Sequence, residues 1–310
     1  MNIQIPIQPT TTLDPRRHLR LSYSTLELAN KCERLLALKK FYAIDDFEDD
    51  DPDDNPHFTY GTALGAGLQT LLMTEDLDAA IFEAFKHYSF EETDVKCFEG
   101  IVKGLMDFHA NWDYDRFEVA TMNGKAAVEL SFKVVLDKEE NDYYCGFVDV
   151  VLIDRITGTY YVVEIKTTGL MLQDLKPLYS NSAQGLGYTI LLDHIKPGLT
   201  NMGVLYFVFQ LKRTWIPEFH IYPFVKTTKQ RLGWLLTLKL DYDRLVSLIH
   251  MQYYPMRGSA CLSYMKPCQL YGVCDIDMLQ LPKAPVKPEI DWSYTVELDT
   301  LIEEQMEIMG

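Results

Sequence analysis

The order of elements in the chain predicts an α/β fold, with a mixed central sheet flanked by helices behind a mostly helical N-terminal part. Three observations carry this. Apolar residues in roughly the first hundred positions recur at helical spacing. From Ala126 the pattern changes to strand-like alternation rich in β-branched residues. Helical stretches over 172–195 and 226–251 then interleave with strand-like ones over 201–211 and 219–224. The 310 residues suffice for one large domain or two small ones, and 47% of them are apolar, as in ordinary soluble proteins. No apolar run approaches the ~20 residues of a spanning helix. The first residues lack the basic-then-apolar order of a secretory leader, so the expectation is a cytoplasmic protein with no membrane partner.

The elements follow in order. Residues 1–21, with Pro6, Pro9 and Pro15, read as an extended arm. Residues 22–42 read as one helix, with Ser24 as N-cap and Glu27 completing a capping box. The run 45–54 holds 8 acidic residues and reads as a solvated loop. Helices are expected over 57–73, 77–88 and 95–112, and strands over 126–136, 143–153 and 159–167, the last two joined by a tight turn at 155–158. The Pro-rich and then acidic segment 281–310 reads as a surface tail beyond a domain of residues 22–280.

Net charge is −16, half of it in the acidic loop, which argues against a general polyanion binder but leaves room for a local basic groove. Lys31, Arg34, Lys39 and Lys40 share the first predicted helix and could face phosphates, although solvated positions are the ordinary reading. No histidine pair has metal-ligand spacing, and there is no Walker-type phosphate loop and no Gly-x-Ser-x-Gly.

The chemistry concentrates in GFVDVVLIDRITGTYYVVEIKTTG, residues 146–169. A turn at 155–158 sets Asp149 directly across from Glu164, with Cβ atoms roughly 4.5–5.5 Å apart. Lys166 projects from the same face as Glu164. Two carboxylates and an ammonium among Val and Ile neighbours make poor core. They suit a hard divalent cation, Mg²⁺ or Mn²⁺, held by Asp149, Glu164 and the Ile165 carbonyl, with Lys166 orienting a water or offsetting phosphate charge. An exposed hairpin with an ordinary cross-strand charge cluster is the bland alternative.

Asp149 followed by Glu164-Ile165-Lys166 resembles the motif of the PD-(D/E)XK nuclease superfamily, most nearly its RecB-like exonucleases, including AddB-type, CRISPR-associated and phage members. Glu129 on the preceding strand, Gln184 and Tyr188 on the following helix, and Ser22, Ser24, Cys32 and Arg34 near the start match further motifs, over about residues 22–275. The resemblance implies a restriction-endonuclease-like core. It also implies a metal-dependent DNA exonuclease, hydrolysing phosphodiester bonds by a metal-activated water, with Gln184 and Tyr188 contacting the substrate. DNA, single-stranded or with free ends, is the implied partner, alongside replication, repair or recombination proteins. One departure matters: where many relatives carry Gly-Thr-x-x-His with a metal-binding His, this chain has GTALG, so Gly65 stands at that position, and Gln69 lies one turn on.

Cys261, Cys268 and Cys274 crowd into 14 residues, and Cys32 is the natural fourth ligand for one soft metal centre. RecB-like nucleases with such a cluster hold a four-iron, four-sulfur (4Fe–4S) centre with one early and three late cysteines. The longer first gap here leaves zinc, or plain buried thiols, as alternatives. Cys97 and Cys145 read as such thiols. Two rivals to a nuclease remain at this level: a catalytically inactive protein of the same fold that binds nucleic acid or a partner, and a DNA-mimicking inhibitor.

Overall fold

The computed structural model describes residues 18–42, 56–88, 96–180, 182–196, 202–211, 215–263, 266–268, 270–277, 281–284 and 289–310. The acidic run 45–54 and residues 1–17 of the expected arm lie outside them.

One mixed sheet of eight strands organises the described residues. The strands are β1 (Arg20–Leu21), β2 (Phe117–Val119), β3 (Val128–Asp137), β4 (Asp142–Asp154), β5 (Tyr160–Thr168), β6 (Met202–Gln210), β7 (Glu218–Val225) and β8 (Tyr294–Glu297). Across the sheet the order is β8-β3-β4-β5-β6-β7, with β1 and β2 both paired to β4. The pairs β1–β4, β8–β3 and β5–β6 are parallel and the rest antiparallel. Strand β6 is buried along its whole apolar run from Gly203 to Phe209, as a strand covered on both faces must be.

Helices cover both faces. They are α1 (Tyr23–Lys31), α2 (Glu33–Lys40), α3 (Pro56–Thr74), α4 (Leu77–Lys86), α5 (Phe98–Asn111), α6 (Leu172–Ser180), α7 (Ala183–Ile195), α8 (Thr228–Met251) and α9 (Leu298–Met309). Residues from α1, α2, α7, α8 and α9 pack with Phe132, Val151 and Val162 on one face. Helices α3, α4 and α5 pack with Val150, Leu152, Val163 and Phe207 on the other. Leu175 and Tyr179 of α6 pack on Val204, Tyr206 and Val208.

The register that matters is set at the turn between β4 and β5. Asp154 Oδ1 accepts from the backbone N–H groups of Ile156 (2.9 Å) and Thr157 (3.2 Å), a short Asx-type closure. Its Oδ2 accepts from Arg116 Nε (3.0 Å) and Nη2 (2.7 Å). The Arg116 guanidinium is the main reason the Asp154 carboxyl is held down to about 2, with those backbone donors adding to it. Gly158 takes a left-handed φ of 68° that closes the turn. Val150 then pairs with Val163 and Ile153 with Tyr160, the register that the sequence predicts.

Several elements depart from expectation. The N-cap of α1 is Ser22, whose hydroxyl accepts from Thr25 N at 3.3 Å, two residues before Ser24. The single helix expected over 22–42 is two, broken at Cys32, which is extended at φ −164° and ψ 116°. No Gly or Pro breaks it. Tertiary contacts do: with the helix interrupted, Arg34 N donates to Pro255 O at 3.2 Å. The helix over 172–195 likewise divides into α6 and α7, with Ser182 as the N-cap of α7. Arg20–Leu21 is not arm but strand. Residues expected as a surface tail form β8 and α9, and bury Val296, Leu298 and Leu301. Strand β8 covers what would otherwise be an unpaired edge of β3. Arg34 does not face outward for DNA, because its guanidinium donates to Cys274 O (2.8 Å) and Ile276 O (2.6 Å).

Leu301 is 2% exposed and belongs to the core that packs α8 and α9 against the sheet. Leu301→Ala is expected to cost about 2–5 kcal/mol in urea unfolding. A cost near zero would return 281–310 to the status of a surface tail.

Candidate active site and thiol cavity

At its centre, β4 has a different neighbour at each end. Residues 150–153 pair with β5, whereas Tyr143 and Tyr144 pair with β1. Between them β5 departs and continues alongside β6 as far as Thr168. Asp149 stands where the two strands part. Its Oδ2 accepts from Ile165 N at 2.8 Å, so a side chain takes the place of the next ladder bond.

Glu164 is 2% exposed, and its Oε1 meets Lys166 Nζ at 2.5 Å. Lys166 also donates to Gln184 Oε1 at 3.2 Å, and Gln184 Nε2 to the Tyr188 hydroxyl at 2.8 Å. The sheet and α7 thus hold the lysine between an anion and an amide. The structure brings Asp149, Glu164, Ile165, Lys166, Gln184 and Tyr188 together. Tyr188 itself is 5% exposed, a wall of the site more than an outward contact.

Burial, and then the Glu164 charge, push the Asp149 carboxyl well above the usual carboxylate range. Burial pushes Glu164 up as well, against the opposing pull of Lys166 and Gln184. For Lys166, burial favours loss of the proton, but the Glu164 and Asp149 carboxylates outweigh it and leave the ammonium raised. The strain lies in the carboxylates. Glu164 Oε2 is buried with no hydrogen-bond partner, an orphaned acceptor of the kind a cation satisfies. The donors around it are hard oxygens that suit Mg²⁺ or Mn²⁺ in chemistry. Among the described residues, no three His, Cys, Asp or Glu side chains converge tightly enough to form a closed ligand cage.

Two supporting residues join from elsewhere. Gln69 of α3 donates to Glu129 Oε1 at 2.5 Å and approaches Asp149 O at 3.4 Å. At Gly65, one turn earlier, a Cβ would meet nothing within 4 Å, so the position is open space.

Tyrosines that sequence reasoning did not single out surround the lysine. The charges of Lys166 and Glu164 reach Tyr23 at the start of α1 and Tyr179 of α6. Tyr179 stacks on Tyr206 with centroids 4.4 Å apart and planes 9° apart. Nothing in the local sequence distinguishes these from ordinary core tyrosines, and only the tertiary fold brings them to the site.

The four cysteines also meet. Cys32, Cys261, Cys268 and Cys274 line one cavity of about 310 Å³. Burial and the proximity of the other three sulfurs push the Cys274 thiol up. All six cysteines are unbridged. Placement and donor type fit a soft metal, and the cavity has room for it, but the thiols do not close into a ligand set. A second set of residues, invisible to the motif search, pins the cavity walls. Glu33, 1% exposed, accepts from Arg257 at 2.9 and 2.8 Å and from Arg244 at 3.1 Å. No helix among the described residues is long and apolar enough to cross a membrane.

Because the fold favours protonated Asp149 and Glu164, their contribution to stability is present below the ordinary carboxylate range and lost as pH rises through their raised values. Metal-free Asp149→Asn should therefore melt higher than the parent at neutral pH, with a flatter decline from acid to neutral. Thermal melts across pH check this, and a variant that melts lower at every pH would refute it.

No family model and no curated protein matches the chain. Among solved structures, it is similar to one described as a "putative exonuclease" from Eubacterium rectale, with a TM-score of 0.44 and 12% sequence identity over 82% of this chain and 92% of that one.

Proposed function

We propose that the chain is a Mg²⁺- or Mn²⁺-dependent DNA nuclease, of the exonuclease type, acting on single strands or free ends. The observation that carries this reading is the buried Asp149–Glu164 pair at the strand fork, with its orphaned Glu164 oxygen and Lys166 held alongside. A pair of like charges with no function would cost stability, and apolar replacements would remove that cost. Its retention supports chemistry over an inactive scaffold.

Asp149, Glu164 and the Ile165 carbonyl would hold the cation, which when bound supplies Lewis acidity toward water and phosphate. The Glu164 carboxylate keeps Lys166 charged and aimed, and Gln184 fixes the ammonium from the other side. That ammonium can orient the attacking water and offset charge that builds on the phosphate. Tyr188 locks the rotamer of Gln184. The residue pattern resembling RecB-like nucleases supports a DNA substrate. The thiol cavity would carry a 4Fe–4S cluster, or zinc, in a structural role, because four thiolates leave no open coordination position.

Digestion of end-labelled single- and double-stranded DNA with Mg²⁺ or Mn²⁺ tests the activity. Lys166→Ala should abolish cleavage while Mn²⁺ still binds, whereas full turnover in Lys166→Ala removes the lysine from the mechanism. For the cavity, anaerobically purified protein should contain iron and absorb near ~400 nm, or else hold one equivalent of zinc. Cys268→Ser should lower the melting temperature far more than Cys97→Ser. Metal-free protein with four reactive thiols would rule the centre out.

A further inference from the structure

Just past Lys166 the backbone is firmly held while the side chains it carries stand in water. Strand β5 ends at Thr168, at the C-terminal end of the parallel β5–β6 pair, and Leu170 and Met171 follow in the connection to α6. Leu170 is 46% exposed and Met171 62%. Apolar side chains so exposed contribute little burial to offset the ordering of their loop. The loop is nevertheless held at several points. Leu170 N donates to Thr168 Oγ1 at 3.1 Å, Leu211 N to Thr168 O at 2.8 Å, and Gln210 Nε2 to Leu170 O at 2.6 Å. Asp174 N donates to Met171 O at 2.9 Å and so joins Met171 to the first turn of α6.

Gln210 sharpens the contrast. It is 2% exposed, and its Oε1 is buried with no partner among the described residues. Burying an amide half-satisfied is costly, and the half that is satisfied holds Leu170. On the far side of the loop, Leu175 and Tyr179 dock α6 on β6, and buried Lys226 donates to the Tyr179 and Ser180 carbonyls at the end of that helix. The backbone that carries Leu170 and Met171 is thus anchored on both sides. Its position relative to the site is also fixed. The edge of β5 that leaves β4 at the fork runs from Glu164 past Lys166 toward this loop. Four residues separate Leu170 from Lys166, about 13–14 Å at most, the length of about four stacked nucleotides. Ligands of open α/β sheets gather at such C-terminal strand ends.

We infer that Leu170 and Met171 form a rigid apolar contact for a base of the substrate strand, within a few nucleotides of the phosphate at Lys166. Every base has an apolar face, so the contact accepts any sequence. It needs an unpaired base, because in a duplex the faces are covered by the neighbours in the stack. The pair therefore selects single strands over intact duplex. This inference rests on the nuclease reading above and supplies the residues behind its strand preference.

Equilibrium binding of a fluorescent oligothymidylate to the full chain tests it, at low salt and in EDTA, where a metal-dependent site cannot cut. The parent should bind the single strand more tightly than the same length of duplex. Leu170→Ser combined with Met171→Ser should weaken single-strand binding roughly tenfold. Duplex binding and the thermal melt should stay as they were, because both side chains are exposed. Oligonucleotides with one abasic residue, moved along the strand, locate the contact. At one or two adjacent positions the missing base should weaken binding to the parent by the same factor, and to the double variant not at all. A double variant that binds every oligonucleotide as the parent does would overturn the inference. So would a parent that prefers duplex, or an abasic penalty that the double variant retains in full. Digestion with Mg²⁺ or Mn²⁺ keeps the two readings apart. A parent that cuts no DNA but shows the abasic pattern loses the nuclease reading and keeps the contact. A parent that cuts, with a double variant that matches it on single strands, loses this inference alone.

Discussion

The side chain of Asp149 accepts the backbone N–H of Ile165, and the site depends on that substitution. An antiparallel pair that kept its ladder past Val150 and Val163 would press Glu164 flat beside Asp149 with both backbones fully paired. Instead one carboxylate oxygen replaces a ladder bond, and β5 turns away without leaving the Ile165 donor unsatisfied. The β5–β6 pairing continues through the departure, so the moving strand keeps a rigid partner. Lys166 and Glu164 therefore ride on a paired strand although the opposite edge of that strand is open. This is how a sheet can present charged groups from its interior with little loss of order.

A second constraint ties the beginning of the chain to its end. Glu33 is almost fully buried and is compensated by two guanidinium groups, Arg257 and Arg244, from far along the sequence. Arg34 repeats the device in reverse and donates to two carbonyls of the segment that carries Cys274. These contacts hold the cavity walls by protein bonds alone. The cysteines are thus brought near one another by electrostatics and packing, before any question of what they bind. Breaking a buried pair on one side leaves an uncompensated charge, so the arrangement is hard to lose piecemeal.

Much of this was legible in the sequence because it is local. The β4–β5 register followed from a four-residue turn and strict alternation, and both are properties of neighbours in the chain. The identity of the charged residues then followed from parity alone. What was not legible is what distant segments impose. Cys32 interrupts a run with good helical periodicity because Pro255 and Arg257 are waiting for the residues beyond it. The last strand and helix hid behind a proline-rich lead-in, although Val296, Leu298 and Leu301 are spaced to face inward. The left-handed backbone at Glu129 has no sequence signature at all. A glutamate there would ordinarily continue the strand, and the Gln69 side chain whose amide it accepts from lies far away in sequence on α3.

The tie between Glu33 and Arg257 also governs timing. Cys32 lies 223 residues ahead of Pro255, the carbonyl its sulfur faces. At about 5–20 residues per second, translation needs roughly 10–45 s to bridge that gap. During this interval α2 has been made but lacks its partners, Glu33 has no guanidinium to face, and Cys32 has no cavity to line. Strand β3 likewise waits, over the 162 residues from Phe132 to Tyr294, for β8 to cover its edge. Helix α2 therefore cannot complete its packing before the segment around Arg257 has been made. The β4–β5 turn is closed by residues no more than 38 positions apart, so its bonds need nothing from either end of the chain.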